Sequence, residues 1–160
     1  MIKVGDKLPD ATFAVPAADG TKQLTTSDIF AGKTVALFAV PGAFTPTCSA
    51  KHLPSFREHG AALKAKGVDT IACTSVNDQF VMNAWAKDQG CQGDILMLAD
   101  GSGDFAKKIG LDADFSKFGM GQRSKRYSMI VKDGVVTHLN VEEGGEYKVS
   151  SAEHMLSQLS

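Results

Sequence analysis

The chain has 160 residues, 43% hydrophobic and 22% charged, the size of one globular domain that can bury its own core. Its 17 Lys and Arg against 18 Asp and Glu leave a net charge of −1, which gives no electrostatic reason to expect nucleic acid or an anionic membrane as partner. No stretch approaches the ~18 apolar residues of a membrane span, and Met1 to Pro9 lacks the basic head and apolar core of an export signal, so residues 1–160 read as one soluble, unexported domain. Three cysteines, Cys48, Cys73 and Cys91, are an odd number without framework spacing, which points to a reducing compartment, the cytoplasm by default.

In chain order, the apolar run Thr34–Val40 predicts a strand, followed by helical patterning over Ser49–Lys66. A strand over Val68–Val76, a helix over Asp78–Gln89, a strand over Ile95–Leu98 and a helix over Asp104–Ile109 continue the alternation. This βαβ order predicts a parallel or mixed sheet covered by helices on both faces. Strands Tyr127–Val131 and Val135–Val141 flank Asp133-Gly134, a two-residue hairpin signal. A final helix is expected after Ser150, which stands in capping-box spacing to Glu153.

Cys48 falls where the first strand gives way to a helix. Unsatisfied backbone N–H groups and roughly half a positive charge at a helix start favour a thiolate, and the thiolate is the nucleophile. His52 lies one turn further on, but two residues are too few for a zinc set, so His52 reads as a hydrogen-bonding group on the pocket side. His59, His138 and His154 have no partner pattern. Cys73 lies inside a buried-looking strand and reads as core packing, whereas Cys91, after Gln89-Gly90, is expected to be exposed. Arg123, Lys125 and Arg126 would ordinarily form a solvated basic cluster.

The segment Pro41-Gly42-Ala43-Phe44-Thr45-Pro46-Thr47-Cys48 resembles the active-site segment of peroxiredoxins of the type-five or plant type-two class. The likeness extends through Lys51-His52-Leu53-Pro54, Leu63 to Val68, Ser75-Val76-Asn77-Asp78, Leu98-Ala99-Asp100 and Arg123 to Met129, nearly the whole chain. It implies an α/β thioredoxin-like fold, a central mixed sheet flanked by helices, and a thiol peroxidase that needs no cofactor or metal. Thr45-Pro46-Thr47-Cys48 is then similar to the Cys-x-x-Cys motif with threonine in the first position, which removes the local disulfide of dithiol exchange enzymes.

In that family reading, Cys48 attacks hydrogen peroxide or an alkyl hydroperoxide and becomes a sulfenic acid. Thr45 supplies a hydroxyl to sulfur and peroxide, the N–H groups of Thr47 and Cys48 face the pocket, Pro41 shields it, and Arg126 is the active-site cation. Phe44 and Phe118 make the pocket apolar enough for organic hydroperoxides. Plant relatives also carry a cysteine matching Cys73, a possible resolving partner of Cys48. The resolving cysteine of animal members is missing from Val149-Ser150-Ser151-Ala152. The resemblance therefore favours glutathione with glutaredoxin over thioredoxin as reductant, through a mixed disulfide. It also implies a homodimer, with Phe44, Pro46, Phe80 and Trp85 as apolar candidates for the interface and core packing as the alternative reading of each. A dithiol oxidoreductase, a non-enzymatic redox sensor built on Cys48 and a metal-binding module are the competing readings. Peroxide turnover coupled to a reductant separates the first two from a peroxidase, and chelation-insensitive folding sets aside the third.

Overall fold

The computed structural model describes residues 1–17 and 19–159. Its strands are β1 (Thr12–Ala17), β2 (Gly20–Thr25), β3 (Thr34–Ala39), β4 (Thr70–Ser75), β5 (Leu96–Ala99), β6 (Asp112–Asp114), β7 (Gln122–Ser124), β8 (Tyr127–Lys132) and β9 (Val135–Val141). Its helices are α1 (Thr26–Phe30), α2 (Leu53–Glu58), α3 (Gly60–Ala65), α4 (Gln79–Gln89), α5 (Asp104–Lys108) and α6 (Ala152–Gln158). Seven strands form one mixed sheet in the order β2-β1-β5-β4-β3-β8-β9, and β6 pairs with β7 apart from it.

The sheet centre follows from the apolar runs. β3, β4 and β5 pair in parallel, and their side chains are buried towards both faces, as continuous apolar strands require. β8 closes on β3 antiparallel, and β9 returns beside β8 through Asp133-Gly134 at φ +48° and +79°, the left-handed pair that a tight hairpin needs. One apolar layer lies between the sheet and α2, α3, α4 and α6, with Phe38, Phe56, Leu63, Cys73, Met82 and Trp85 among its members. The other packs Phe13, Phe30, Leu37, Phe105, Tyr127 and Met129 beneath α1 and α5.

Differences from the sequence expectations have local causes. The β1–β2 hairpin was not expected: β1 contains Pro16, and β2 is almost wholly exposed and polar, so neither shows a buried-strand pattern. The expected helix over Ser49–Lys66 is interrupted. A π-helical turn occupies Cys48–His52, with the Leu53 N–H bonded to the Cys48 carbonyl, and the α-helical course breaks again at His59. Pro54 accounts for the first break, because it has no N–H for the Ala50 carbonyl and its ring crowds that turn. The last helix is capped by Ser151, whose side chain accepts the His154 N–H, and not by Ser150. No helix among the described residues is long and apolar enough to cross a membrane.

Candidate active site

β3 runs between β4 and β8, so its C-terminal end delivers the following loop to the middle of the sheet. The Ala43 N–H donates to Asn77 Oδ1 at 3.0 Å, and the Ser75 hydroxyl reaches the same oxygen at 2.6 Å, which ties the loop to the end of β4. At Gly42 a Cβ would stand 3.0 Å from the Met120 side chain and 3.1 Å from that of Thr45, closer than packed carbons sit. Phe44 adopts φ +65°, a conformation that costs a non-glycine residue roughly 1–3 kcal/mol and needs its surroundings to hold it. Pro46 and Thr47 open the helical course, and the Ser49 N–H bonds to the Thr45 carbonyl at 2.9 Å. Cys48 therefore lies in the first turn, where N–H groups have no intrahelical acceptor. The widened π turn that follows is a geometry common at functional sites.

The sulfur of Cys48 is fully buried and accepts from Arg126 Nη2 at 3.1 Å. Arg126 Nη1 lies 2.9 Å from His52 Nδ1, and His52 Nε2 lies 2.9 Å from the Ser150 carbonyl oxygen. These partners fix the tautomer: a guanidinium only donates and a carbonyl only accepts, so Nδ1 is bare and Nε2 carries the hydrogen. The His52 ring has no solvent exposure and packs against Phe38, Phe56 and Tyr147, with ring centroids 5.0–5.8 Å away. Burial, reinforced by the Arg126 charge, pushes its pKa down to about 3 despite the Ser150 contact. Both ring nitrogens are occupied, which leaves no lone pair for a metal. Among the described residues no group of three or more His, Cys, Asp or Glu is arranged to hold one.

Cys48, Arg126 and His52 thus meet directly. The Thr45 hydroxyl donates to the Gly42 carbonyl at 2.6 Å, so its lone pairs are what it offers to a donor. Pro41 and Thr47 are half-buried beside this loop, and Phe44 is 50% exposed. Arg123 donates to the carbonyls of Met120 (2.9 Å) and Val76 (3.2 Å), bracing the loop around the site while Arg126 holds the sulfur.

The family profile described as Redoxin matches residues 3–156. Peroxiredoxin-2E, chloroplastic, of Arabidopsis thaliana is 51% identical over 162 residues, covering 99% of this chain and 69% of that protein. The chain belongs to the peroxiredoxins of the type-two and type-five class. Reduced Prx3 of Vibrio vulnificus, solved in complex with hydrogen peroxide, superposes with a TM-score of 0.96 at 51% identity and covers all of both chains. Peroxiredoxin 5 of Alvinella pompejana superposes with a TM-score of 0.87 at 34% identity, over 98% of this chain and 97% of that one. The thioredoxin-like α/β fold with its mixed central sheet and the activity of a thiol-dependent peroxidase follow from that membership.

Burial corrects one expectation about this peroxiredoxin, the exposure of Cys91, and decides Trp85 between the two readings left open for it. Cys91 is fully buried and not exposed: Gly90 ends α4 at φ +68° and turns the chain back, so the Cys91 N–H bonds to the Ala86 carbonyl at 3.0 Å. Trp85 lies in the core and not on an interface, with its indole N–H donating to the Ser49 hydroxyl at 3.0 Å. Cys73 is buried in mid-strand; burial first, then the nearby Cys48 and Cys91 sulfurs, push its thiol well up, which makes it a poor nucleophile. All three cysteines are free. Sequence reasoning missed Glu142, Ser150 and Tyr147, which stand behind His52. They lie in a glycine-containing acidic stretch that reads as a solvated loop.

The buried neutral His52 has a consequence for stability. Between its ordinary value of 6.5 and its folded value of about 3, only the unfolded chain takes up the proton. The fold therefore loses up to about 1.4 kcal/mol per pH unit as pH falls through that window, and gains nothing further from this group above it. Urea midpoints measured from neutral pH downwards are expected to fall more steeply for the wild type than for His52→Gln. Parallel curves would contradict the assignment.

Proposed function

We propose that Cys48 is the peroxidatic residue, and the observation that carries this reading is the Arg126 guanidinium donating to its sulfur at 3.1 Å. A charge-assisted donor of this kind contributes roughly 1.5–3 kcal/mol and fixes the sulfur in the site. The thiolate attacks one peroxide oxygen, the O–O bond breaks, and the sulfur keeps that oxygen as a sulfenic acid. The other oxygen leaves as hydroxide or alkoxide and takes up a proton to become water or an alcohol. Arg126 is then also near the charge that develops on the leaving oxygen, where a fixed donor lowers the barrier. Thr45, its own proton committed to Gly42, offers lone pairs to a peroxide O–H, and the first-turn N–H groups of Thr47 and Cys48 offer donors. Pro41 limits water, and Phe44 at the rim suits organic hydroperoxides as well as hydrogen peroxide.

The reductant in this reading is glutathione with glutaredoxin. A glutathione thiol displaces water from the sulfenic acid to give a mixed disulfide, and a glutaredoxin thiol then releases Cys48. No cysteine stands in Val149 to Ala152 to intercept the sulfenic acid, and the raised thiol of buried Cys73 is poorly suited to the task. The odd number of cysteines without framework spacing supports a reducing compartment such as the cytoplasm. A homodimer is supported by the interface candidates Phe44 and Phe80, which are 50% and 73% exposed. The 160 residues act in this reading as one catalytic domain.

One coupled assay tests the chemistry. Hydrogen peroxide consumption with glutathione and glutaredoxin is expected for the wild type and for Cys73→Ser, and is abolished in Cys48→Ser. Turnover with thioredoxin alone, or loss of turnover in Cys73→Ser, would overturn the proposed cycle. Sedimentation at micromolar concentration is expected to give twice the chain mass, and a concentration-independent monomer would remove the dimer.

A further inference from the structure

Behind His52 stands a carboxylate to which the peroxidase reaction assigns no task. Glu142 follows β9 and is 6% exposed. Its Oε2 accepts the N–H groups of Lys148 (2.8 Å), Val149 (2.9 Å) and Ser150 (2.8 Å) and the Ser150 hydroxyl (2.7 Å), and its Oε1 accepts the Lys148 N–H at 2.9 Å. The Lys148 ammonium pairs with Glu146 instead, at 3.4 Å. Burial raises the Glu142 pKa, but the hydrogen bonds from Ser150, Lys148 and Val149 outweigh it and leave the carboxyl below its ordinary value, so it is an anion at neutral pH.

The segment that Glu142 gathers ends on the carbonyl that His52 needs. Ser150 is held by both its N–H and its hydroxyl, and its carbonyl accepts His52 Nε2. At the other end of the path, the Glu142 N–H donates to the Arg126 carbonyl at 3.0 Å. The contacts close a ring: Glu142 to Ser150, Ser150 to His52, His52 to the Arg126 guanidinium, and the Arg126 backbone back to Glu142. The Arg126 side chain has several rotatable bonds, and a single acceptor such as the sulfur would not hold it in one place. A ring that fixes its backbone and its Nη1 together leaves Nη2 aimed at Cys48.

We infer that Glu142 is a positioning residue for the peroxidase reaction, acting through Ser150 and His52 to hold the Arg126 guanidinium against the Cys48 sulfur. The inference rests on the Cys48–Arg126 reading above and adds a residue that touches neither sulfur nor peroxide. Outer contacts of this kind set how well a directly acting group is oriented.

The test measures the second-order rate of Cys48 oxidation by hydrogen peroxide in full-length wild type, Glu142→Gln, Ser150→Ala and Arg126→Gln. Nitrogen-15 resonances of the His52 ring in each reduced protein accompany the rates. Glu142→Gln keeps the shape but places an amide donor among N–H groups that need an acceptor. It is expected to lower the rate about tenfold and to erase the distinction between a bare Nδ1 and a protonated Nε2. Ser150→Ala loses one hydroxyl contact and is expected to lower the rate about threefold with a smaller change in the ring signals. A slower rate with unchanged His52 signals, changed signals with an unchanged rate, or no change in either would overturn the inference. If Glu142→Gln fails to give a cooperative urea transition, Ser150→Ala decides by the same criteria. An unchanged rate in Arg126→Gln would instead overturn the underlying reading of the site.

Discussion

A single planar guanidinium serves two acceptors at the centre of this fold: Arg126 donates to the Cys48 sulfur at 3.1 Å and to His52 Nδ1 at 2.9 Å. Arginine suits the task because its donors form a rigid fork and its charge persists at every relevant pH. The fork works only if the second acceptor stays neutral and keeps the right tautomer. The fold secures this by burying the His52 ring among Phe38, Phe56 and Tyr147, and by presenting the Ser150 carbonyl to Nε2. A protonated His52 would place a second cation against the guanidinium and offer it no lone pair.

The rest of the architecture positions these two groups. Cys48 comes from the loop after β3 and Arg126 from the residue before β8, and β3 and β8 are neighbours whose ends meet, with Ala39 opposite Tyr127. Cys48 is placed in the first helical turn, and the π turn forced by Pro54 carries His52 to the Arg126 side. On the same helical course the Ser55 hydroxyl donates to the His52 carbonyl and accepts the Ala152 N–H, which joins the start of α6 to the active helix. The segment before α6 is therefore part of the site's support although it contributes no reacting atom.

Much of this was legible in the sequence. β3, β4, β5, β8 and β9 fall within two residues of the expected ranges: the first four are buried on both faces and leave apolar runs, and β9 is marked by the Asp133-Gly134 hairpin signal before it. The positions joined through the guanidinium, Cys48, Arg126 and His52, stand out for their residue types and for the motif around them. What stayed hidden depends on three-dimensional closure. The polar β2 becomes a strand only by pairing with β1, Cys91 turns inward because Gly90 reverses the chain, and Trp85 and Phe80 part company by helical phase. The support of His52 was least visible, since it lies in a backbone carbonyl and in a glutamate indistinguishable by composition from its exposed neighbours Glu143 and Glu146.

The central claim is that this network makes Cys48, among three buried thiols, the one that peroxide oxidises. One equivalent of hydrogen peroxide added to the reduced protein in the presence of dimedone, followed by peptide mapping, tests it directly. The account predicts a dimedone adduct on the Cys48 peptide, with Cys73 and Cys91 recovered as thiols. An adduct on Cys73 or Cys91, or a Cys48–Cys73 disulfide formed ahead of trapping, would contradict it.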